Sequence, residues 1–355
     1  MTTPAVTGSV IGRYFTVVSL VPSVVFAAYV TLLARSGSWG GNVNFIGAVR
    51  GLNINDLALF SIGNLLVAIT LHPLQFALIQ AFEGFWGGSA IGRKIAVRHI
   101  MRHRNRATKL KDMAIERDAE LKPEPGHPAY DETLEVQRPY ANRSDASMEQ
   151  VEMSFAAAEA WRLYASYPDD PESIMPTRLG NVLRRYEILA GKRYNLGTIT
   201  TVPRLLQVAD TRDVAYVQNQ RMQMELALRA AFLALAATVL TLLFMWRHGP
   251  WLLLGLVPYT VAFASYRGSV VVAHEYGTAL AVLIDLNRFA LYERMHLPLP
   301  KDTNEEHEEN AKLENVMRLD NVSIEKRLRE PEFFVYVPPL VIPDGPQSGN
   351  KASPE

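Results

Sequence analysis

Residues 229–267 read R-AAFLALAATVLTLLFMW-RHGP-WLLLGLVPYTVAFASY-R. Ala230–Trp246 holds 17 residues without a charge, between Arg229 and Arg247. Trp251–Tyr266 is a second uncharged run, closed by Arg267 and prolonged by the apolar GSVVVA up to Ala273. A helix rises about 1.5 Å per residue and a bilayer core is about 30 Å thick, so the first run is near the lower limit for a crossing. Arg229 and Arg267 can snorkel to the headgroups and lengthen both ends. Only Arg247–Pro250 separates the runs, which predicts a tight hairpin of two membrane helices. A hairpin that dips halfway and returns is the competing reading.

Upstream lie two more such runs. Tyr14–Ala34 is free of charge over 21 residues, bracketed by Arg13 and Arg35. A cleaved signal peptide would have a shorter apolar part and a more basic start. Leu57–Phe82 is free of charge over 26 residues, but His72-Pro73 divides it. Proline removes a backbone donor and ends or bends a helix. A spanning helix is expected to about His72, followed by an interfacial piece, LQFALIQAFEGFW, with Gln75, Gln80 and Glu83 as its polar positions. Pro22 and Pro258 are expected to kink the first and fourth spans.

The expected fold is therefore all-α: four transmembrane helices in a 2+2 arrangement, with a cytoplasmic helical domain and a helical stalk. Residues 1–12 form a cytoplasmic N-terminus and 13–86 the first transmembrane pair with its interfacial helix. Residues 87–228 form the cytoplasmic helical domain and 229–273 the transmembrane hairpin. Residues 274–330 are the stalk and C-terminal helix, and 331–355 an extended or disordered tail.

Eight Lys and Arg residues fall between Glu83 and Lys111, whereas the loop from Arg35 to Asp56 has only Arg35 and Arg50. Basic loops stay in the cytoplasm, so the middle region and both termini are expected there. Arg outnumbers Lys by 27 to 9 and Cys is absent. Together these point to a bacterial cytoplasmic (inner) membrane. Lys+Arg and Asp+Glu are 36 each, giving no net charge and arguing against a nucleic-acid binder.

Within the middle region, Ile91–Lys122 reads as a basic helix leaving the membrane. Its Arg93, Lys94, Arg98 and Arg102 are candidate contacts to lipid headgroups. Ser147-x-x-Gln150 is a capping box that opens a helix. Another helix follows Thr177, with Leu179, Val182, Leu183, Tyr186 and Leu189 on its apolar stripe. Its Arg178, Arg184 and Arg185 are expected on a solvated or lipid-facing side. No Gly or Pro occurs between Thr211 and Trp246, so one long helix should enter the third span. Residues 276–296 should pack against Val214–Glu225 as a stalk. Thr303-x-x-Glu306 reads as a second capping box, and the acidic Glu305–Glu309 cluster as a solvated helix start.

Catalytic signatures are lacking: no phosphate-binding glycine loop, no H-E-x-x-H and no G-x-S-x-G occurs. No cofactor or metal is expected. His99 and His103 share a helix face, but Arg98, Arg102 and Arg104 around them oppose a divalent cation. Within the spans, His72 is the one ionisable group. With Asn64 and Thr70 it forms the candidate intramembrane polar set, which a pore assembled from several chains would use. The bland reading of such groups is helix–helix hydrogen bonding. Arg267, His274 and Glu275 are candidate interfacial polar residues where the fourth span ends.

The strings MPTRLGNVLRRYE (Met175–Glu187), HPLQFALIQAFEGFWG (His72–Gly87) and YGTALAVLIDLNRFALYERMHLPLP (Tyr276–Pro300) resemble an uncharacterised group of bacterial, largely actinobacterial, multi-pass membrane proteins. That resemblance covers most of Arg13–Pro300 and implies a membrane location but no activity. The order of two spans, cytoplasmic domain and two spans also resembles bestrophin-type anion channels, in topology only and without a matching pore motif. Two functions follow as expectations: a membrane anchor or scaffold for a cytoplasmic protein partner, or a homo-oligomeric ion channel gated through its cytoplasmic domain. Besides the lipid bilayer, a second copy of the chain is the expected partner.

Overall fold

The computed structural model describes residues 20–37, 43–51, 53–71, 73–120, 147–318 and 334–336. All regular structure among them is helical. The α-helices are α1 (Val21–Arg35), α2 (Phe45–Arg50), α3 (Ile54–Leu71), α4 (Gln75–Glu83), α5 (Ala90–Glu120), α6 (Met148–Tyr164), α7 (Arg178–Leu189), α8 (Thr198–Val208), α9 (Thr211–Met245), α10 (Leu256–Arg294) and α11 (Thr303–Met317). Short 3₁₀ turns occupy Pro171–Ser173, Lys192–Tyr194 and Gly249–Gly255.

Two helices are long and apolar enough to cross a membrane: α9, and the stretch Gly249–Arg294 that ends in α10. Of the four expected spans, these are the two that length and composition establish. The uncharged run Leu57–Phe82 is divided at Pro73, as the sequence implies. Its halves, Phe60–Leu71 and Gln75–Glu83, meet at 63° around Pro73. The described part of the first is the 15-residue apolar α1, and the residues before position 20 lie outside the described residues. Pro22 lies in the first turn of α1, and Pro258 lies where the 3₁₀ turn Gly249–Gly255 passes into α10.

The chain divides into two compact units, Met1–Ala190 with Ala215–Ala281, and Gly191–Val214 with Val282–Glu355. The core of the first joins one face of α7 (Leu179, Val182, Leu183) to Met224 and Leu228 of α9 and Ala273 of α10. Ile79 and Phe82 of α4 and Tyr266 and Tyr276 of α10 pack around it. The apolar spacing of α7 is thus used as the sequence implies, with Thr177 capping through its hydroxyl to Gly180 N. A smaller cluster joins Ala107 and Leu110 of α5 to Tyr167 and Ile174, at the end of α6 and beyond. The expected Ser147–Gln150 capping box starts α6.

The junction of α4 with α7 is close. Gly84 ends α4 in the left-handed region (φ 104°), which glycine adopts without strain. The Glu83 carbonyl then accepts from the Thr177 hydroxyl at 2.9 Å. A Cβ at Gly180 would lie 2.1 Å from that same carbonyl oxygen, so this contact needs glycine.

The second unit is held by buried polar groups. Arg288 Nε meets Glu306 at 2.6 Å, with its guanidinium against the rings of Tyr194 and Phe289. The Tyr292 hydroxyl donates to Asn310 Oδ1 at 2.6 Å, and Asn310 Nδ2 donates to the Tyr194 carbonyl at 2.7 Å. Glu314 Oε2 accepts from Gly197 N and from the Thr200 hydroxyl. Asn287 of α10 donates to Asp213 of α9 at 2.8 Å. The acidic run differs from expectation. Asp302 is the residue that caps α11, accepting from Asn304 N and Glu305 N, so Thr303 is already helical. Glu306 is not solvated but buried on Arg288.

Candidate functional site

Several polar groups of the apolar helices are engaged within the chain. Thr241 on α9 shares a 2.7 Å hydrogen bond with the Tyr29 hydroxyl of α1, and also bonds back to the Ala237 carbonyl. Thr238 and Thr260 bond back to carbonyls four residues earlier. Asn64 differs: its Oδ1 is shielded from solvent and has no hydrogen-bond partner among the described residues. Thr70 is exposed on α3, and His72 lies outside the described residues.

At the break between α3 and α4 the chain builds a knot of charged and amide groups. Arg221, Glu225 and Arg229 follow one another at intervals of four on α9 and so share a face. Glu225 and Arg229 are each only 2% exposed. Gln75, in the first turn of α4, lies between them. Its Nε2 donates to Glu225 Oε2 at 2.6 Å, and its Oε1 accepts from Arg229 Nη2 at 3.2 Å. The amide orientation follows, since only the NH₂ can face a carboxylate and only the oxygen a guanidinium. Arg221 Nε closes on Glu225 Oε1 at 2.8 Å. Arg229 Nη2 also donates to the Leu71 carbonyl, at the end of α3, at 3.2 Å. The last carbonyls of a helix lack intrahelical donors and carry partial negative charge, so a guanidinium suits them.

This corrects the expectation for Arg229. It does not snorkel but is buried, because a carboxylate, an amide and a helix end meet it there. Gln75 is likewise buried within the chain. Arg267 is exposed, as a snorkelling residue must be. The knot holds a broken helix with its freed carbonyl satisfied, a condition for irregular backbone at membrane depth. It contains no nucleophile paired with a base.

The candidate headgroup residues lie on α5. Lys94, Arg98 and Arg102 are exposed and, with Arg106, recur every four residues on one stripe. Arg93 is exposed beside it and donates to the Gly87 carbonyl. The neighbouring stripe carries His99 and His103, which turn inward. His103 Nδ1 is 3.0 Å from the Tyr167 hydroxyl, and His99 meets the Trp86 ring edge-on with centroids 5.7 Å apart. Burial, then the positive charges of Arg178, His99, Arg106 and Arg102, hold His103 down at about 4. It is therefore neutral at pH 7.

His99, His103 and Arg178 line a cavity of about 400 Å³ whose other wall is aromatic: Phe82, Trp86 and Tyr266. Phe82 and Tyr266 are stacked at 5.9 Å. The Trp86 indole N–H is taken by the Ala81 carbonyl at 2.7 Å. The expected solvated face of α7 is thus divided. Arg184 pairs with Glu187, Arg185 donates to the Tyr167 carbonyl at 2.9 Å, and half-buried Arg178 faces the cavity. Of the candidate interfacial residues, His274 Nε2 is 3.2 Å from the Ser166 hydroxyl and its ring meets Tyr186 edge-on, while Glu275 is exposed.

Sequence reasoning missed the knot and the cavity. The available signal for the knot was the R-x₃-E-x₃-R spacing at 221, 225 and 229, just before an apolar run. Among the described residues, no three carboxylate or imidazole side chains gather as a metal site. The sequence matches no family model, and neither a curated relative nor a solved structure is similar to it.

Proposed function

We propose that the chain is a multi-pass membrane protein acting as an anchor or scaffold, with a polar helical unit offered to a cytoplasmic protein partner. In this reading four segments enter the bilayer in the 2+2 order, and both termini lie on the cytoplasmic side of a bacterial inner membrane. The observation that carries it is the internal closure of polar groups on the apolar helices. Tyr29 bonds Thr241, and Gln75 bridges Glu225 and Arg229, so these groups serve one chain's own assembly rather than a shared conduit. The second unit adds a separately specified polar core around Arg288–Glu306 and Tyr292–Asn310.

The test is gentle extraction from native membranes through a tag after Glu355, followed by the mass and composition of the complex. A stoichiometric second protein is the expected result; a homogeneous assembly of this chain alone would sink the scaffold reading. For the topology, a reporter enzyme active only outside the cytoplasm, fused after Glu355, is expected to stay silent.

A second reading, a homo-oligomeric channel, is favoured by Asn64, whose shielded Oδ1 lacks a partner among the described residues. It requires conductance in planar bilayers that falls on Asn64→Trp. Silence across voltage and pH would remove it.

A further inference from the structure

The cavity between α4, α5, the start of α7 and α10 is chemically two-sided. One wall is the stacked pair Phe82 and Tyr266 with Trp86. The rest of the lining includes Arg178 and His103, with His99 against the edge of Trp86 where the aromatic and basic parts meet. Arg102, Arg106 and Arg178 have no ion-pair carboxylate among the described residues, although ion pairs are common elsewhere in the chain. Their uncompensated field is what depresses the neighbouring His103 beyond the effect of burial. The amides at the start of α7 are already used, by the Thr177 hydroxyl and the Tyr266 hydroxyl. An anion would therefore be read by side chains, and chiefly by the planar donor fork of Arg178.

The surroundings say what kind of anion. Phe76 on α4 and Phe85, just after α4 and next to Trp86 in the chain, are 70% and 63% exposed. Ile91 and Ile95 expose their side chains at the start of α5. Exposed large apolar groups next to a tryptophan, followed by an arginine stripe, are the pattern of the boundary between acyl chains and headgroups. A small soluble phosphate would leave the aromatic wall empty, whereas an amphipathic ligand covers both walls.

We propose that this cavity is a binding site for an anionic phospholipid, its phosphoryl group on Arg178 and His99 and the head of an acyl chain along Phe82, Trp86 and Tyr266. The site holds an individual lipid, unlike the diffuse attraction of the exposed Lys94–Arg98–Arg102 stripe, and it stands whether or not the chain has a protein partner.

The test uses the full chain, delipidated in mild detergent and titrated with phosphatidylglycerol or phosphatidylcholine, with bound lipid counted by native mass spectrometry. The unaltered protein is expected to prefer phosphatidylglycerol about ten-fold, and Arg178→Gln to lose about ten-fold in that affinity, the scale of one charge-assisted hydrogen bond. Arg184→Gln removes the same charge two turns along from the cavity and is expected to bind normally. Ala81→Trp fills the cavity, which Ala81 also lines, and leaves every charge in place. It is expected to lose the lipid as Arg178→Gln does, and it decides the matter if Arg178→Gln fails to fold. Equal binding of the two lipids, equal losses in Arg178→Gln and Arg184→Gln, or unchanged binding in Ala81→Trp would each overturn the proposal. Displacement of the lipid by an equal concentration of inorganic phosphate would reject the lipid as the source of the phosphoryl group.

Discussion

Replacing Gln75 by Leu removes the bridge between Glu225 and Arg229 while keeping the side chain's bulk. Two hydrogen bonds to charged groups are lost, each worth about 1.5–3 kcal/mol. The upper sum, about 6 kcal/mol, overstates the loss, because neither ion is orphaned. Glu225 retains Arg221 at 2.8 Å, and Arg229 retains the Leu71 carbonyl at 3.2 Å. Each bond then counts at its lower value, and the expected cost is about 3 kcal/mol, roughly a hundred-fold in the unfolding equilibrium. The assay is reversible unfolding of the full chain in mixed micelles with increasing dodecyl sulfate, followed by tryptophan fluorescence. A cycle with Glu225→Gln separates the bridge from simple loss of packing. If the bridge is real, the double variant is less destabilised than the sum of the singles by about 1–2 kcal/mol. A Gln75→Leu effect within about 0.5 kcal/mol, or strict additivity with Glu225→Gln, would refute the reasoning.

Gly180→Ala drives a methyl group to within 2.1 Å of the Glu83 carbonyl oxygen, so α4 and α7 must separate; a loss of about 3 kcal/mol is expected in the same unfolding assay. His103, ordinarily near 6.5, is held at about 4 by burial and then by Arg178, His99, Arg106 and Arg102. A neutral-preferring histidine contributes stability that is intact above pH 6.5 and is lost as pH falls toward 4. Glu83, pushed up to about 7 by burial and then by Glu187, gains stability over the same range, so the His103 contribution is read as a difference. Between pH 7 and pH 4.5 the midpoint temperature of His103→Gln should rise relative to that of the unaltered protein; a constant difference would show that His103 contributes nothing. Glu306→Leu leaves Arg288 buried without its carboxylate, and about 3–5 kcal/mol should be lost. Protease protection of the second unit reports it, and unaltered protection would mean that the pair is not structural.

What the sequence discloses depends on whether a signal is local. The Ser147–Gln150 box, the uninterrupted helix from Thr211 and the apolar stripe of α7 follow from spacing within one element, and each is in place. Errors arise where a second element decides. Arg178 and Arg229 both look like solvent or headgroup residues on a helical wheel. The first is drawn against α5 and the second against the end of α3, and no periodicity announces those neighbours. Thr303 fails as a cap for a different reason: Asp302, one residue earlier, is at least as good a capping side chain and takes both free amides. The division of the Leu57–Phe82 run was also legible, since Pro73 marks it, but the 63° angle between the two helices was not. Of the candidate site, the basic stripe on α5 was legible, whereas its inward histidines and the aromatic wall needed the tertiary arrangement.

The bridge from Gln75 to Glu225 joins residues 150 positions apart. During synthesis, at about 5–20 residues per second, Gln75 emerges roughly 8–30 s before the helix that will satisfy it. The bent pair α3–α4 must wait for that interval with an unmatched amide and an open carbonyl at Leu71, groups that a hydrocarbon environment disfavours. Maturation of the first half of the chain is thereby tied to arrival of the second. A chain cut short before residue 225 would lack both charged partners of the Gln75 amide. Closure of the knot thus requires the chain through Arg229.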